Sequence, residues 1–173
     1  PPEPGPMKQD LSESVYIRLK ALSRERKEIF QFTLNTYARE RLLYRLGRSS
    51  YRRQFILKGA TLFTIWTPEP YRATMDVDFL GYGTPDPERL ATVFRALCNA
   101  KVRKDGMEFL SGSVRSGLIR KDTIYGGFWV RLEAHVGKAR IPLKIEVGFG
   151  DVVVPKAQEI FFPTLLKAPK PRL

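Results

Sequence analysis

Two runs of period two dominate the second half of the chain. Phe128, Val130, Leu132, Ala134 and Val136 alternate with Trp129, Arg131, Glu133 and His135. After a turn near Gly137-Lys138, Ile141, Leu143, Ile145 and Val147 alternate with Pro142, Lys144, Glu146 and Gly148. Successive side chains of a strand point to opposite faces, so the pattern predicts a hairpin with one apolar and one polar face. A shorter run repeats the scheme: Met75, Val77 and Phe79 face one way, Asp76 and Asp78 the other. Ahead of it, Phe55-Ile56-Leu57-Lys58 predicts a short strand ending at Gly59. About two helical turns from Ala60 to Trp66 follow, broken by Pro68 and Pro70.

Helical spacing takes over elsewhere. Asp10 and Glu13 form a capping-box pattern ahead of Leu11, Val15, Leu19 and Leu22, which predicts a first helix. A second helix is expected from near Arg24–Arg26 to Leu46, with Phe30, Leu34, Tyr37, Arg41 and Tyr44 along one edge of its face and Gly47 as C-cap. Asp86-Pro87 opens a helix to about Asn99, with an N-cap aspartate and proline in its first turn. Lys101 to Thr123 is expected to be loop-rich, with strand-like pieces around Phe109 and Val114–Ile119. The proline-punctuated end from Pro155 has no clear period. Residues 1–9 are proline-rich and expected to be disordered, leaving 10–173 as one domain.

Composition narrows the functional classes. The chain has 173 residues and 43% hydrophobic content, enough for one core burying roughly two thirds of the unfolded surface. Thirty Lys and Arg oppose eighteen Asp and Glu for a net charge of +12, which favours phosphate-rich partners. No apolar run approaches the ~20 residues of a membrane span, and no signal-peptide pattern opens the chain, so a cytoplasmic protein is expected. One cysteine, Cys98, excludes an internal disulfide, and one histidine, His135, excludes a His-rich metal site.

The candidate chemistry sits between Phe55 and Leu80. A glycine lets the backbone approach a triphosphate, and the amides at the N-terminus of the helix after it can donate to phosphate oxygens. Asp76 and Asp78, side by side on one face, repel each other unless a cation lies between them or both point into water. As hard oxygen donors they suit Mg²⁺. A further carboxylate on a neighbouring strand would complete a two-metal site, and Glu146 has the right parity. Lys144 shares its face and could neutralise a triphosphate. Glu133 is the rival, with a cross-strand pair to Lys or Arg as its simpler role. Asp151 has the setting of a turn former. Arg39, Arg41, Arg45, Arg48, Arg52 and Arg53 crowd the end of the second helix and the turn beyond. They suit either a solvated basic helix end or a nucleic-acid-binding patch, with Arg45, Arg48, Arg52 and Arg53 expected near the rim of the Gly59 cleft.

Several blocks together carry a resemblance: Glu40-Arg41-Leu42-Leu43-Tyr44-Arg45-Leu46, Phe55-Ile56-Leu57-Lys58-Gly59-Ala60, Arg72-Ala73-Thr74-Met75-Asp76-Val77-Asp78, Ile141 to Asp151, and Phe162-Pro163-Thr164-Leu165-Leu166. In these the chain resembles the AbiEii/AbiGii toxin family of nucleotidyltransferases. The resemblance implies an α+β nucleotidyltransferase fold: a mixed central sheet flanked by helices, behind an N-terminal helical pair. It implies transfer of a nucleotide from a nucleoside triphosphate, with Mg²⁺ (or Mn²⁺), to an RNA such as the tRNA acceptor end. It also implies the toxin half of a toxin–antitoxin or phage-defence pair, with a separate antitoxin protein as partner. Asp76, Asp78 and Glu146 are then the catalytic metal ligands. Lys58, Gly59, Ala60, Thr61, Arg72 and Lys144 contact the nucleotide. Ala60 stands where the superfamily has serine, so a hydroxyl contact to phosphate would fall to Thr61. Glu146 stands where relatives more often have aspartate. Such proteins usually continue past Leu173 into a helical region, which suggests an alternative: a catalytically incomplete nucleic-acid- or antitoxin-binding module with the same fold.

Overall fold

The computed structural model describes residues 10–66, 75–119, 126–150, 153 and 156–173. The predicted N-terminal disorder, Arg72 and Asp151 therefore lie outside the described residues. Helix α1 (Leu11–Glu25) is capped by Asp10, whose carboxylate accepts from the Ser12 amide at 3.2 Å. Its Val15 and Leu19, four apart, are buried. Lys27 turns the chain with a φ of 53°, in the left-handed region. Helix α2 (Phe30–Gly47) therefore begins later than the expected Arg24–Arg26, because those arginines close α1 and the turn after it. Gly47 is the last residue of α2 rather than its C-cap. A Cβ there would collide with the Arg172 carbonyl, which the C-terminal segment brings across the helix end.

Strands β1 (Phe55–Lys58), β2 (Asp76–Gly81), β3 (Glu108–Leu118), β4 (Phe128–Val136) and β5 (Ala139–Phe149) form one sheet in the order β1-β2-β5-β4-β3. Only β2 and β5 run parallel; the other pairs are antiparallel, so the sheet is mixed as expected. The one-turn helix α3 (Phe63–Trp66) follows a 3₁₀ turn at Gly59–Leu62, in place of the two regular turns expected there. Helix α4 (Pro87–Cys98) has Asp86 as its N-cap, accepting from the Arg89 amide at 2.9 Å.

The alternation read from the sequence decides which side of the sheet is buried. Val77, Phe79, Val130, Leu132, Ala134, Ile141, Leu143, Ile145 and Val147 are all buried, and α1, α2 and α4 pack against that face. The intervening residues of β2, β4 and β5 form the opposite face. The region expected to be mostly loop between Lys101 and Thr123 contains β3, a continuous strand of 11 residues. Its period is broken by a shift in register between Leu110 and Arg115. Ser113 holds this bulge, donating to the Leu110 carbonyl at 2.6 Å and accepting from the Glu133 amide at 2.8 Å.

The aperiodic C-terminal segment is part of the core. Phe161 and Arg172 form an antiparallel bridge, Phe162 is buried, and the Leu165 amide donates to Glu40 at 2.7 Å. Clamped between this segment, α1, α4 and the sheet, α2 is buried on nearly all sides. Arg41, fully buried, pairs with Glu40 at 2.8 Å, donates to the Pro169 carbonyl at 2.9 Å and lies over the rings of Tyr37 and Tyr44. Burial outweighs the neighbouring Arg41 charge and pushes the Glu40 carboxyl up to about 7.

Candidate active site

Two ladders of paired residues cross the open face of the sheet. Asp78 on β2 stands opposite Glu146 on β5, which stands opposite Trp129 on β4, which stands opposite Gly117 on β3. One step along the strands, Asp76, Lys144, Arg131 and Arg115 repeat the arrangement. The parity inferred for Asp76, Asp78 and Glu146 thus puts all three on one face of two adjacent parallel strands. Lys58, the last residue of β1, pairs with Asp78 from the other side, and Gly59 follows it.

Gly59 has a φ of 72° and lies so close to Asp78 that a Cβ would collide with the Asp78 Oδ2. Only glycine meets both conditions, so the backbone at the turn can press against the acidic cluster. Thr61 does not extend this cradle. It is buried, and its hydroxyl donates to the Asp76 carbonyl at 3.2 Å, so the phosphate contact expected of it is replaced by a tie between the turn and β2. Ala60 is half-buried within the same turn.

Lys144 lies between the carboxylates. Its Nζ is 2.6 Å from Glu146 Oε1 and 3.3 Å from Asp76 Oδ2. The side chains of Asp76, Lys144 and Glu146 are 42%, 36% and 32% exposed, which leaves them open to a ligand from solvent. The hydrogen bond to Glu146 raises the Lys144 pKa above the ordinary lysine value. Burial, then Glu146, then Asp76, pushes the Asp78 carboxyl above the ordinary aspartate value, with Lys58 and Lys144 opposing. The three carboxylates are hard donors whose mutual repulsion is partly relieved by an ammonium, so their chemistry fits a divalent cation. Among the described residues, however, no three Asp, Glu, His or Cys side chains are already drawn together as a metal-holding group. Lys144 occupies the space between two of the candidates.

A cleft of about 440 Å³ opens beside Asp76 and Lys144, lined also by Asn35, Met75, Arg131 and Glu133. Arg39, four residues along α2 from Asn35, belongs to the arginine cluster expected to be a basic helix end or a nucleic-acid-binding patch, but it is internal. It is 5% exposed, its Nη2 donates to the Thr36 hydroxyl at 3.0 Å, and its Nε and Nη1 have no hydrogen-bond partner among the described residues. Burial lowers its pKa to about 10, opposed by the charge of Asp76. The signal available was its four-residue spacing from Asn35 on a face that also carries Leu42 and Leu46.

Glu133 is not a third ligand in this arrangement. It accepts from Arg140 at 3.0 Å and meets His135 Nε2 at 2.7 Å, a cross-strand cluster. The expected arginine patch is divided. Arg45 is buried, with two bonds to Asp105 at 2.8 and 3.2 Å and a third to the Met107 carbonyl, so it is a core residue and not a rim contact. Arg39 and Arg41 are likewise internal. Arg52 pairs with Glu159 at 2.8 Å, and Arg48 and Arg53 are exposed. Phe55 is registered with Gly81 and Lys58 with Asp78. Arg52 and Arg53 therefore enter β1 at the end of the β1–β2 pairing remote from Gly59.

The family model described as "Nucleotidyl transferase AbiEii toxin, Type IV TA system" matches residues 41–172, about three quarters of the chain. The chain belongs to the AbiEii family. Its α+β architecture, with a five-stranded mixed sheet, is consistent with the nucleotidyltransferase-like fold expected of an AbiEii protein. The chain is also similar to the crystal structure of JHP933 from Helicobacter pylori, at 14% identity and a TM-score of 0.38. That similarity covers 81% of this chain and 46% of JHP933, so the chain spans about half the length of that relative. No curated protein matches the sequence. Among the described residues no helix is long and apolar enough to cross a membrane.

Proposed function

We propose that this AbiEii domain transfers a nucleotide from a nucleoside triphosphate to an RNA hydroxyl, with Asp76, Asp78 and Glu146 as the groups that hold divalent metal. The observation that carries the reading is the direct pairing of Asp78 with Glu146 on adjacent strands, with Asp76 and Lys144 in the next ladder. When bound, Mg²⁺ or Mn²⁺ would supply charge neutralisation at the triphosphate. Lys144 then moves from the carboxylates to the triphosphate, with Lys58 and the amides of the Gly59 turn as its further donors. Arg72 remains a candidate for the same task. The acceptor oxygen forms a bond to the α-phosphorus as the bond to pyrophosphate breaks, and Glu146 takes the hydroxyl proton. The tRNA acceptor end is the RNA suggested by the family resemblance, and a separate antitoxin would restrain the activity.

The Lys144 bridge also favours a second reading, a binding module in which the ammonium permanently fills the metal position. Calorimetric titration with a nucleoside triphosphate and Mg²⁺ separates the two. Saturable binding that Asp78→Asn abolishes supports the transferase. No binding by the wild-type domain, with RNA affinity retained, rejects it in favour of the module.

A further inference from the structure

The sheet face beyond Glu146 is not used by the chemistry above, yet its features point to a ligand. Trp129, paired with Glu146 on one side, packs against Gly117 of β3 on the other: a Cβ on Gly117 would come within 2.6 Å of the indole. The missing side chain lets the ring rest on the backbone, where it is only partly covered. The Arg131 guanidinium lies 5.0 Å from the ring centroid. Arg131 is in turn registered directly opposite Arg115, and both are exposed. Like charges facing each other across a sheet destabilise it unless an anion lies between them. The acidic neighbours are already engaged: Glu133 by His135 and Arg140, Asp76 and Glu146 by Lys144. Arg115 is held in place by bonds to the Gly112 and Val114 carbonyls, both at 2.9 Å, so the β3 bulge presents it ready-made.

We propose that this face is the acceptor subsite: Trp129, with Arg131, stacks an unpaired base of single-stranded RNA, while Arg115 and Arg131 hold the adjoining phosphate. A platform of aromatic ring and guanidinium suits a splayed-out base, and a pair of arginines suits a phosphate; a duplex offers no unstacked base to such a ring. The ladders fix the distances. Trp129 is one strand from Glu146 and Arg115 two strands from Lys144, spacings of ~5 and ~10 Å between backbones. A strand seated there ends beside the carboxylates. The proposal rests on the transferase reading only for what happens at that end.

The test is the affinity of a single-stranded ten-residue oligoadenylate, followed by anisotropy of a labelled strand in Mg²⁺-free buffer. Trp129→Leu should weaken binding roughly tenfold, the loss expected for one stacked base. Arg115→Gln with Arg131→Gln should lower the slope of log affinity against log salt by about 0.7 for each phosphate the variant no longer neutralises. The domain has two tryptophans, so in a Trp66→Phe background Trp129 reports directly, and its fluorescence should be quenched on addition of the strand. Affinity within twofold of wild type for Trp129→Leu, or an unchanged salt slope for the arginine pair, overturns the proposal. Equal affinity for the single strand and for a duplex of the same length also overturns it. Triphosphate binding is scored separately. If the oligoadenylate depends on Trp129 while no triphosphate binds, the subsite stands and the transferase reading falls. If the triphosphate binds and the oligoadenylate ignores Trp129, the reverse holds.

Discussion

Gly59 is pressed against the Asp78 carboxylate in a left-handed conformation, so the turn after β1 and the acidic pair on β2 share one constraint. Gly59→Ala meets both a left-handed cost of about 1–2 kcal/mol and a collision with Asp78. The expected result is a melting temperature lower by roughly 3–8 °C, together with loss of triphosphate binding. Scanning calorimetry and nucleotide titration check the two effects, and a variant as stable as wild type would show that the turn relaxes freely.

Lys144→Met removes the ammonium that lies between Asp76 and Glu146. Affinity for Mg²⁺ alone should rise by up to about fivefold, the range of an exposed ion pair. Affinity for the triphosphate in the presence of Mg²⁺ should fall. Titrations with and without nucleotide measure this opposite movement, and parallel changes would exclude a cation that alternates between the two partners.

Arg45 and Arg48 should separate sharply although they are neighbours in the basic run. Arg45→Ala leaves Asp105 buried without its cation and should cost roughly 3–5 kcal/mol in denaturant unfolding. Arg48→Ala, at an exposed position, should stay within ~0.5 kcal/mol. Similar values for both would mean that the Arg45–Asp105 pair is dispensable.

Glu40 gives stability a pH dependence of unusual sign. The folded protein keeps its proton to about pH 7, whereas an unperturbed glutamate releases it near 4.5. Between those values the folded state binds more protons than the unfolded one. This contribution to stability is therefore complete below about pH 4.5 and is lost as pH rises to 7, by on the order of 1–3 kcal/mol. In Glu40→Gln, which keeps an acceptor for the Leu165 amide, this part of the slope of unfolding free energy against pH should flatten.

The candidate site is legible in the sequence because its logic is local. Period two fixes the face of Asp76, Asp78, Lys144 and Glu146, and a glycine after a short apolar run marks the turn. The burial of Arg45 is not legible, and that of Arg41 only in part: Arg41 falls in line with Phe30, Leu34 and Tyr37, yet a helix carrying arginines at four-residue spacing reads as a solvated face. What makes them internal is distant: Asp105 is 60 residues from Arg45, and Pro169 is 128 from Arg41. Thr61 misleads for a related reason. Its sequence neighbours suggest a phosphate loop, while its bond to Asp76 depends on how the turn packs against β2. Strand β3 is hidden by the bulge between Leu110 and Arg115, which interrupts the alternation that would otherwise reveal it.

The parallel pairing of β2 with β5 sets an order of events during synthesis. Antiparallel partners can zip together from a nearby turn, but β2 must wait while α4, β3 and β4 are made before its partner exists. At ~5–20 residues per second, about 4–14 s separate the addition of Asp78 from that of Phe149. For most of that interval the growing chain carries Asp76 and Asp78 without Glu146 or Lys144. Whatever this sheet does to a cell, it cannot begin until its last strand has left the ribosome and slotted into the middle of the sheet.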